Sequence, residues 1–213
     1  MLRVGLTQRV DRIHEYGEYR DCLDQQWYEF FIELGFLPIP LPNLKQEYVG
    51  SLLDELSLNA IVFTGGNSLS YVENDAKDVS ELRDSFETQL FKEAKKRNIS
   101  ILGICRGMQI INIILGGSLS KVANHVATKH NLKSLINNEI FEKKVNSYHR
   151  WGIANDDLSG ELNAIAVDEQ GNIEAFIDNT KSILGIMWHP EREKPFSQKD
   201  INLIKKILCK QEL

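Results

Sequence analysis

The sequence predicts an α/β fold in which a mostly parallel central sheet carries helices on both faces and a small antiparallel extension. Three observations lead there. Short apolar runs alternate with longer amphipathic ones through the first 117 residues, the pattern of strand–helix–strand units. Beyond Gly117 several strands follow one another with polar turns and no long helix between them. At 213 residues, 42% hydrophobic and 26% charged, the chain has ordinary globular composition and a length that suits one domain spanning 1–213.

Val4–Leu6 reads as the first strand. From Asp21 to Leu34 the residues Leu23, Trp27, Phe30, Phe31 and Leu34 recur at helical spacing, and Gly35 stops the run. Phe36–Leu41 is extended, because Pro38, Pro40 and Pro42 forbid helix and bias the residues before them toward β geometry. Gln46–Leu56 is a second helix, and Ala60–Thr64 a buried strand ending in Gly65-Gly66. Glu81–Arg97 carries Leu82, Phe86, Leu90 and Ala94 in one row and makes a third helix. Ile99–Ile104 is the next strand and Arg106–Leu115 the next helix, closed by Gly116-Gly117. Ile140–Ser147, Leu162–Val167, Ile173–Ile177 and Ile183–Trp188 read as strands, and Asn124–Asn138, the most polar stretch, as a loop. A closing helix, Asp200–Leu208, puts Ile201, Ile204, Ile207 and Leu208 on one stripe with Ser197 as its N-cap.

Composition narrows the function. A net charge of −5 and a pI near 5.6 give no basic field to steer the chain onto nucleic acid or anionic membrane. No apolar run approaches the roughly 18 residues of a membrane span, and MLRVGLTQRVDR lacks an apolar signal core. Cys22, Cys105 and Cys209 are too few and too scattered for a disulfide framework, so the reducing cytoplasm is the expected home. The five histidines form with Cys105 no close ligand pair of the H-x₃-H or C-x₂-C kind, so neither metal nor cofactor is expected.

The most informative segment is Gly103-Ile104-Cys105-Arg106-Gly107, where an apolar strand runs straight into an amphipathic helix. This is the spacing of a nucleophile elbow, G-x-S-x-G, with sulfur in place of oxygen. The tight turn presses the positions two before and two after the nucleophile against neighbouring backbone, where a Cβ would clash. It also places sulfur before the first turn of a helix, whose free N–H groups favour thiolate. A merely structural cysteine does not need glycine on both sides.

A cysteine nucleophile needs a base, and the base needs an orienting group. His189 ends a strand and precedes Pro190-Glu191; Pro190 holds it extended, so the Glu191 side chain, two residues on, can lie beside the imidazole. His149 is the competing base, without an acid nearby in sequence; otherwise it lines the pocket. The oxyanion hole needs two backbone donors. The elbow supplies that of Arg106, and the Thr64-Gly65-Gly66-Asn67 turn supplies a second, with Gly66 as the better placed.

In order, strand-Gly-Gly, Gly-Ile-Cys-Arg-Gly-Met-Gln, Gly-Gly-Ser-Leu, Asn-Ser-x-His and Trp-His-Pro-Glu cover nearly the whole chain. The sequence thereby resembles the class I glutamine amidotransferase-like proteins. Among them it is most like the stand-alone γ-glutamyl hydrolases of peptidase C26, typified by γ-glutamyl-γ-aminobutyrate hydrolase. The resemblance implies a flavodoxin-like three-layer sandwich, a Cys105–His189–Glu191 triad and an oxyanion hole at Gly66 and Arg106. It further implies that Gln109 holds the α-amino or α-carboxylate end of a glutamyl group. Gly65, Asn67 and the segment Ser147, Tyr148, His149, Arg150 and Trp151 join it as substrate contacts.

The chain is short for that family, carries Trp27 where tyrosine is usual, and has a distinctive stretch from Gln8 to Asp21. The sequence as a whole is similar to the γ-glutamyl-CDP-amidate hydrolases of capsular polysaccharide phosphoramidate synthesis. Such a substrate carries phosphates, and Arg9, Arg12, Arg20, Arg150 and Arg192 lie near predicted strand ends; Trp27, Arg9 and Arg20 are therefore counted with the substrate contacts. The plain reading of any one arginine is a solvated charge.

The expected reaction transfers a γ-glutamyl group from an amide to water through a thioester on Cys105, releasing glutamate from a small conjugate. The protein would work as a monomer or homodimer. Two other roles fit the same fold: the glutaminase subunit of a two-component amidotransferase that passes ammonia to a separate synthase, and a catalytically silent binding module.

Overall fold

The computed structural model describes residues 1–73, 75–136, 141 and 143–211. Its strands are β1 (Leu2–Leu6), β2 (Arg9–Ile13), β3 (Glu18–Cys22), β4 (Phe36–Pro40), β5 (Ala60–Phe63), β6 (Ser100–Ile104) and β7 (Ser120–Lys121). They continue with β8 (Val126–Asn131), β9 (Lys133–Ser134), β10 (Lys144–Tyr148), β11 (Trp151–Gly152), β12 (Leu162–Val167), β13 (Ile173–Asp178) and β14 (Ile183–Ile186). The helices are α1 (Gln26–Glu33), α2 (Val49–Leu56), α3 (Glu81–Lys96), α4 (Arg106–Ile114) and α5 (Gln198–Leu208).

The main sheet has the order β4-β1-β5-β6-β14-β13-β12-β9. Pairing is parallel from β4 to β14 and antiparallel from β14 to β9. Alternation along β5 shows how three layers arise. Ala60 and Val62 join one apolar cluster with Phe30, Phe31, Ile201 and Ile204 of α1 and α5. Ile61 and Phe63 join the opposite cluster with Leu53, Phe86, Leu90 and Ile111 of α2, α3 and α4. This is the flavodoxin-like sandwich expected, with small antiparallel ribbons β10-β8, β11-β7 and β2-β3 beside it.

Register then positions the site. Phe63 pairs with Gly103, and Ile104 with Ile186, so β5, β6 and β14 end side by side. Gly65-Gly66 after β5, Cys105 after β6 and His189 after β14 are thereby delivered to one crevice, the place where open α/β sheets put ligands.

Four expectations need correction. The first helix does not begin at Asp21: Glu18–Cys22 pairs antiparallel with Arg9–Ile13, and the Asp21 carboxylate accepts from the backbone and side-chain nitrogens of Asn43. Asp24 Oδ1 instead accepts from the Gln26 N–H at the helix entrance. The second helix has a single 3₁₀ turn at Gln46–Tyr48 before α2 begins. The segment from Asn124 is not a loop throughout, because β8 and β9 lie within it; its last two residues fall outside the described residues, as does Ile140 of another expected strand. On α3, Leu82 is exposed while Arg83 and Glu87 are buried. Among the described residues no helix is long and apolar enough to cross a membrane.

Candidate active site

Cys105 occupies the junction between β6 and α4 with φ +53° and ψ −109°, a conformation that costs free energy in any L-residue and clusters at functional sites. The turn is held by its neighbours: the Cys105 N–H donates to Ile186 O (2.8 Å) and its carbonyl accepts from Gln109 N–H (3.0 Å). Close approach explains the glycines. A Cβ on Gly107 would lie 1.9 Å from the Phe63 carbonyl oxygen, and one on Gly103 would lie 2.7 Å from Gly107 O. Backbone of a central strand cannot yield, so Gly107→Ala is expected to cost about 3 kcal/mol or more and to lower the midpoint of thermal unfolding by about 6–12 °C. Gly160→Ala, where a Cβ meets nothing within 4 Å, should unfold like the parent. Calorimetry on the two variants checks the contrast.

His189 is close enough to Cys105 for their charges to stabilise each other, and its Nδ1 lies 2.6 Å from Glu191 Oε1. His189 is extended as expected (φ −108°, ψ 91°), but Pro190–Arg192 form a 3₁₀ turn, so a tight turn rather than strand alternation brings the Glu191 carboxylate to the imidazole. Asn146 fixes the histidine's backbone from both directions, accepting from His189 N–H (2.9 Å) and donating to His189 O (2.8 Å). Burial opposes the imidazolium, but the Glu191 carboxylate and the Cys105 thiolate outweigh it, and the His189 pKa is pushed up to about 9. Burial likewise opposes the thiolate. The charge and hydrogen bond of His189, then the charge of His149 and the Arg106 N–H, bring the Cys105 pKa below the ordinary thiol range. The arrangement stabilises a thiolate–imidazolium pair.

Gly66 and Arg106 both line the cleft beside Cys105, a cavity of about 320 Å³. The Gly65-Gly66 turn is held by Arg83, whose guanidinium donates to the carbonyl oxygens of Thr64 (2.8 Å), Gly65 (3.2 Å) and Gly66 (2.6 Å). Arg83 is fully buried and also pairs with Glu87 at 3.0 Å; burial, then the nearby Arg106, lowers its pKa to about 10. The Arg106 side chain turns away from the cleft to Asp84 and Glu87. Thus a buried network of two arginines and two acids ties the two candidate oxyanion donors to one helix. Gly65 has a separate duty, since a Cβ there would sit 2.7 Å from His189 Cε1.

The other expected contacts divide. Asn67, Gln109, Tyr148, His149, Arg150 and Trp151 all line the cleft. Gln109 Nε2 donates to Trp151 O (2.7 Å), while Asn67 spends its amide on the backbone of Val10. Ser147 is buried and donates to His125 O (2.7 Å). His149 is engaged through Nδ1 with Trp151 O (2.9 Å) and faces Glu174 with Nε2. Tyr148 stacks edge-on against His189 and carries the Arg192 guanidinium 4.5 Å from its ring centroid. Arg9 packs against Gly66 but pairs with Asp11 (2.6 Å), and Arg20 pairs with Glu18 (2.7 Å) on the hairpin. Trp27 is brought elsewhere: it is buried in the core against Phe31, away from the cleft.

Asn146, Arg83, Asp84 and Glu87 are site residues that the sequence pattern did not reveal. Only Asn146 carried a signal, as the first residue of Asn-Ser-x-His.

The peptidase C26 family model matches residues 4–191. A γ-glutamyl-CDP-amidate hydrolase of Campylobacter jejuni is 32% identical over 89% of this chain and 90% of its own. A γ-glutamyl-γ-aminobutyrate hydrolase of Escherichia coli O157:H7 is 30% identical over 88% and 85%. Among solved structures, a glutamine amidotransferase of Thermotoga maritima superposes with a TM-score of 0.65 at 21% identity, covering 98% of this chain and 84% of that one.

Proposed function

The chain belongs to the peptidase C26 family, and from that premise we propose that it hydrolyses a γ-glutamyl amide with Cys105, His189 and Glu191 as its catalytic triad. One observation carries the reading: a buried cysteine at a strained elbow, electrostatically coupled to a buried histidine that is backed by a carboxylate, with Cys105 opening on a cleft.

The Cys105 thiolate attacks the γ-carbonyl carbon. The oxyanion that forms is met by the backbone N–H groups of Gly66 and Arg106, held in place by the buried arginine network. As the C–N bond breaks, the His189 imidazolium passes its proton to the departing nitrogen and an amine leaves. His189, now neutral, takes a proton from water, whose oxygen attacks the thioester and releases glutamate and thiolate. Gln109 at the cleft wall is suited to the polar end of the glutamyl group.

For the leaving group, a nucleotidyl amidate is favoured over a simple amine by the Campylobacter relative and by Arg150 at the cleft. Arg192 lies over Tyr148 nearby, whereas Arg9 and Arg20 are neutralised on the hairpin. Glutamate release from γ-glutamyl-CDP-amidate, γ-glutamyl-γ-aminobutyrate and glutamine tests this. The phosphate-bearing amide should give the highest kcat/KM, and Arg150→Ala should raise its KM roughly tenfold, the worth of one charge-assisted hydrogen bond, while sparing the uncharged conjugate. Turnover of glutamine alone, and only after a synthase is added, would instead make the chain an amidotransferase subunit.

A further inference from the structure

Behind the wall of the cleft lies a second cluster of ionisable groups, which among the described residues meets the active site only through His149. His125 precedes β8, His130 lies on β8, His149 follows β10, and Glu174 sits on β13. His125, His149 and Glu174 are at most 4% exposed. His149 Nε2 is 3.5 Å from Glu174 Oε1, and His130 Nε2 is 3.2 Å from Glu174 Oε2. The His125 ring centroid is 4.9 Å from those of both other imidazoles.

Hydrogen-bond bookkeeping leaves this cluster incomplete. A carbonyl oxygen only accepts, so His149 Nδ1, 2.9 Å from Trp151 O, carries a proton and leaves Nε2 directed at a carboxylate. Both ring nitrogens of His125 face acceptors, Ala123 O at 3.1 Å and Asp168 Oδ2 at 2.9 Å. The Asp168 carboxylate is already occupied by the backbone N–H groups of Gln170 and Asn172 and by the Asn172 amide. His149 Nε2, both oxygens of Glu174 and both nitrogens of His130 are buried with no hydrogen-bond partner among the described residues. An unsatisfied buried polar atom costs about 1–3 kcal/mol, and here the two Glu174 oxygens face one histidine each, Oε1 toward His149 and Oε2 toward His130. A proton on an imidazole satisfies one such pair at a time, whereas a metal cation placed among them satisfies several nitrogen and oxygen lone pairs at once.

The donors suit one. An imidazole whose Nδ1–H is anchored on a backbone carbonyl, with Nε2 turned to a carboxylate, is the arrangement that orients metal-binding histidines. Single ligand atoms of His125, His149 and Glu174 all lie within 4.8 Å of one another; bonds of about 2.0–2.1 Å to a tetrahedral ion would bring them to roughly 3.3 Å, a modest side-chain adjustment. Imidazole nitrogens with one carboxylate favour zinc-like ions over magnesium or calcium. We propose that His149, Glu174 and His125, the last exchanging its Asp168 contact for the ion, bind one divalent first-row transition-metal ion. No short ligand motif announces it, because the donors arrive from three separate stretches of chain.

The ion would be a positioning element. His149 is fixed to Trp151 O, which also accepts from Gln109 Nε2, so a metal here would pin the cleft wall without touching Cys105. Metal uptake is independent of γ-glutamyl hydrolysis, because it is measured without substrate. Protein stripped with chelator and dialysed is titrated with Zn²⁺ by calorimetry and then with Co²⁺ by visible spectroscopy. Wild type and Cys105→Ser should each bind one equivalent. Glu174→Gln and His125→Ala, confirmed folded by circular dichroism, should bind at least tenfold more weakly. Co²⁺ should give d–d bands without a thiolate charge-transfer band, and this wild-type spectrum decides the matter if the variants fail to fold. Absence of stoichiometric uptake, uptake unchanged by Glu174→Gln, or uptake lost in Cys105→Ser overturns the proposal.

Discussion

Cys105→Ala is expected to reduce glutamate release by about 10⁴-fold or more, leaving only what cleft binding and the oxyanion donors supply. The fold should survive the change. Cys105 packs at the end of β6 with its backbone held by Ile186 O and Gln109 N–H, and none of those bonds involves sulfur. Alanine keeps the same strained φ, so the loss of activity is not a loss of the elbow. Cys105→Ser should be nearly as inactive, because His189 can hold a thiolate of lowered pKa but a hydroxyl keeps its proton far above neutrality. A second readout separates chemistry from folding. In the parent, iodoacetamide at pH 7 should modify Cys105 well before Cys22, whose thiol burial and the neighbouring Asp11 push up. Mass spectrometry of peptides after brief alkylation checks the order. Equal rates at the two sites, or hydrolysis that persists in Cys105→Ala, would remove the nucleophile from the mechanism.

The elbow was legible from sequence because its demands are local: two glycines at fixed spacing, a strand before and a helix after. The same holds for β12 and for the Ser197 cap of α5, whose hydroxyl accepts from Asp200 N–H. Where the signal failed, charge or exposure disguised the structure. The β2-β3 hairpin and β8 are two-stranded ribbons with few buried residues, so no period-2 apolar face marks them. Helix periodicity assumes that charges point outward, and on α3 Arg83 and Glu87 point inward to hold the Gly65-Gly66 turn. Trp27 shows the converse: its place in the family pattern suggests a substrate contact, while its apolar spacing with Phe30 and Phe31 marks it as a core residue. Glu174 lies within a strand whose every residue is buried, so only tertiary packing reveals what it faces.

Glu191→Gln should lower kcat by about 10³–10⁴-fold at neutral pH and narrow the pH range over which any activity remains. The sign follows from the charge states. Productive enzyme carries a thiolate and an imidazolium, so the acid limb of kcat/KM reports proton loss from the Cys105–His189 pair at its lower step and the alkaline limb reports loss of the imidazolium proton. With the His189 pKa at about 9, parent activity should stay level through neutrality and fall as pH rises through that value. Burial alone would push this pKa down; the Glu191 carboxylate, its Oε1 2.6 Å from Nδ1, is the largest influence raising it. Glutamine keeps the shape and removes the charge, so the alkaline limb moves to lower pH. Because the imidazolium is also what holds the Cys105 thiolate below the ordinary thiol range, the acid limb moves up as it weakens. A profile of kcat/KM from pH 5 to 10 measures both limbs. If Glu191→Gln lowered the plateau but left the limbs in place, the carboxylate would serve to orient the ring rather than to charge it, and the ion-pair account of Cys105 activation would fail.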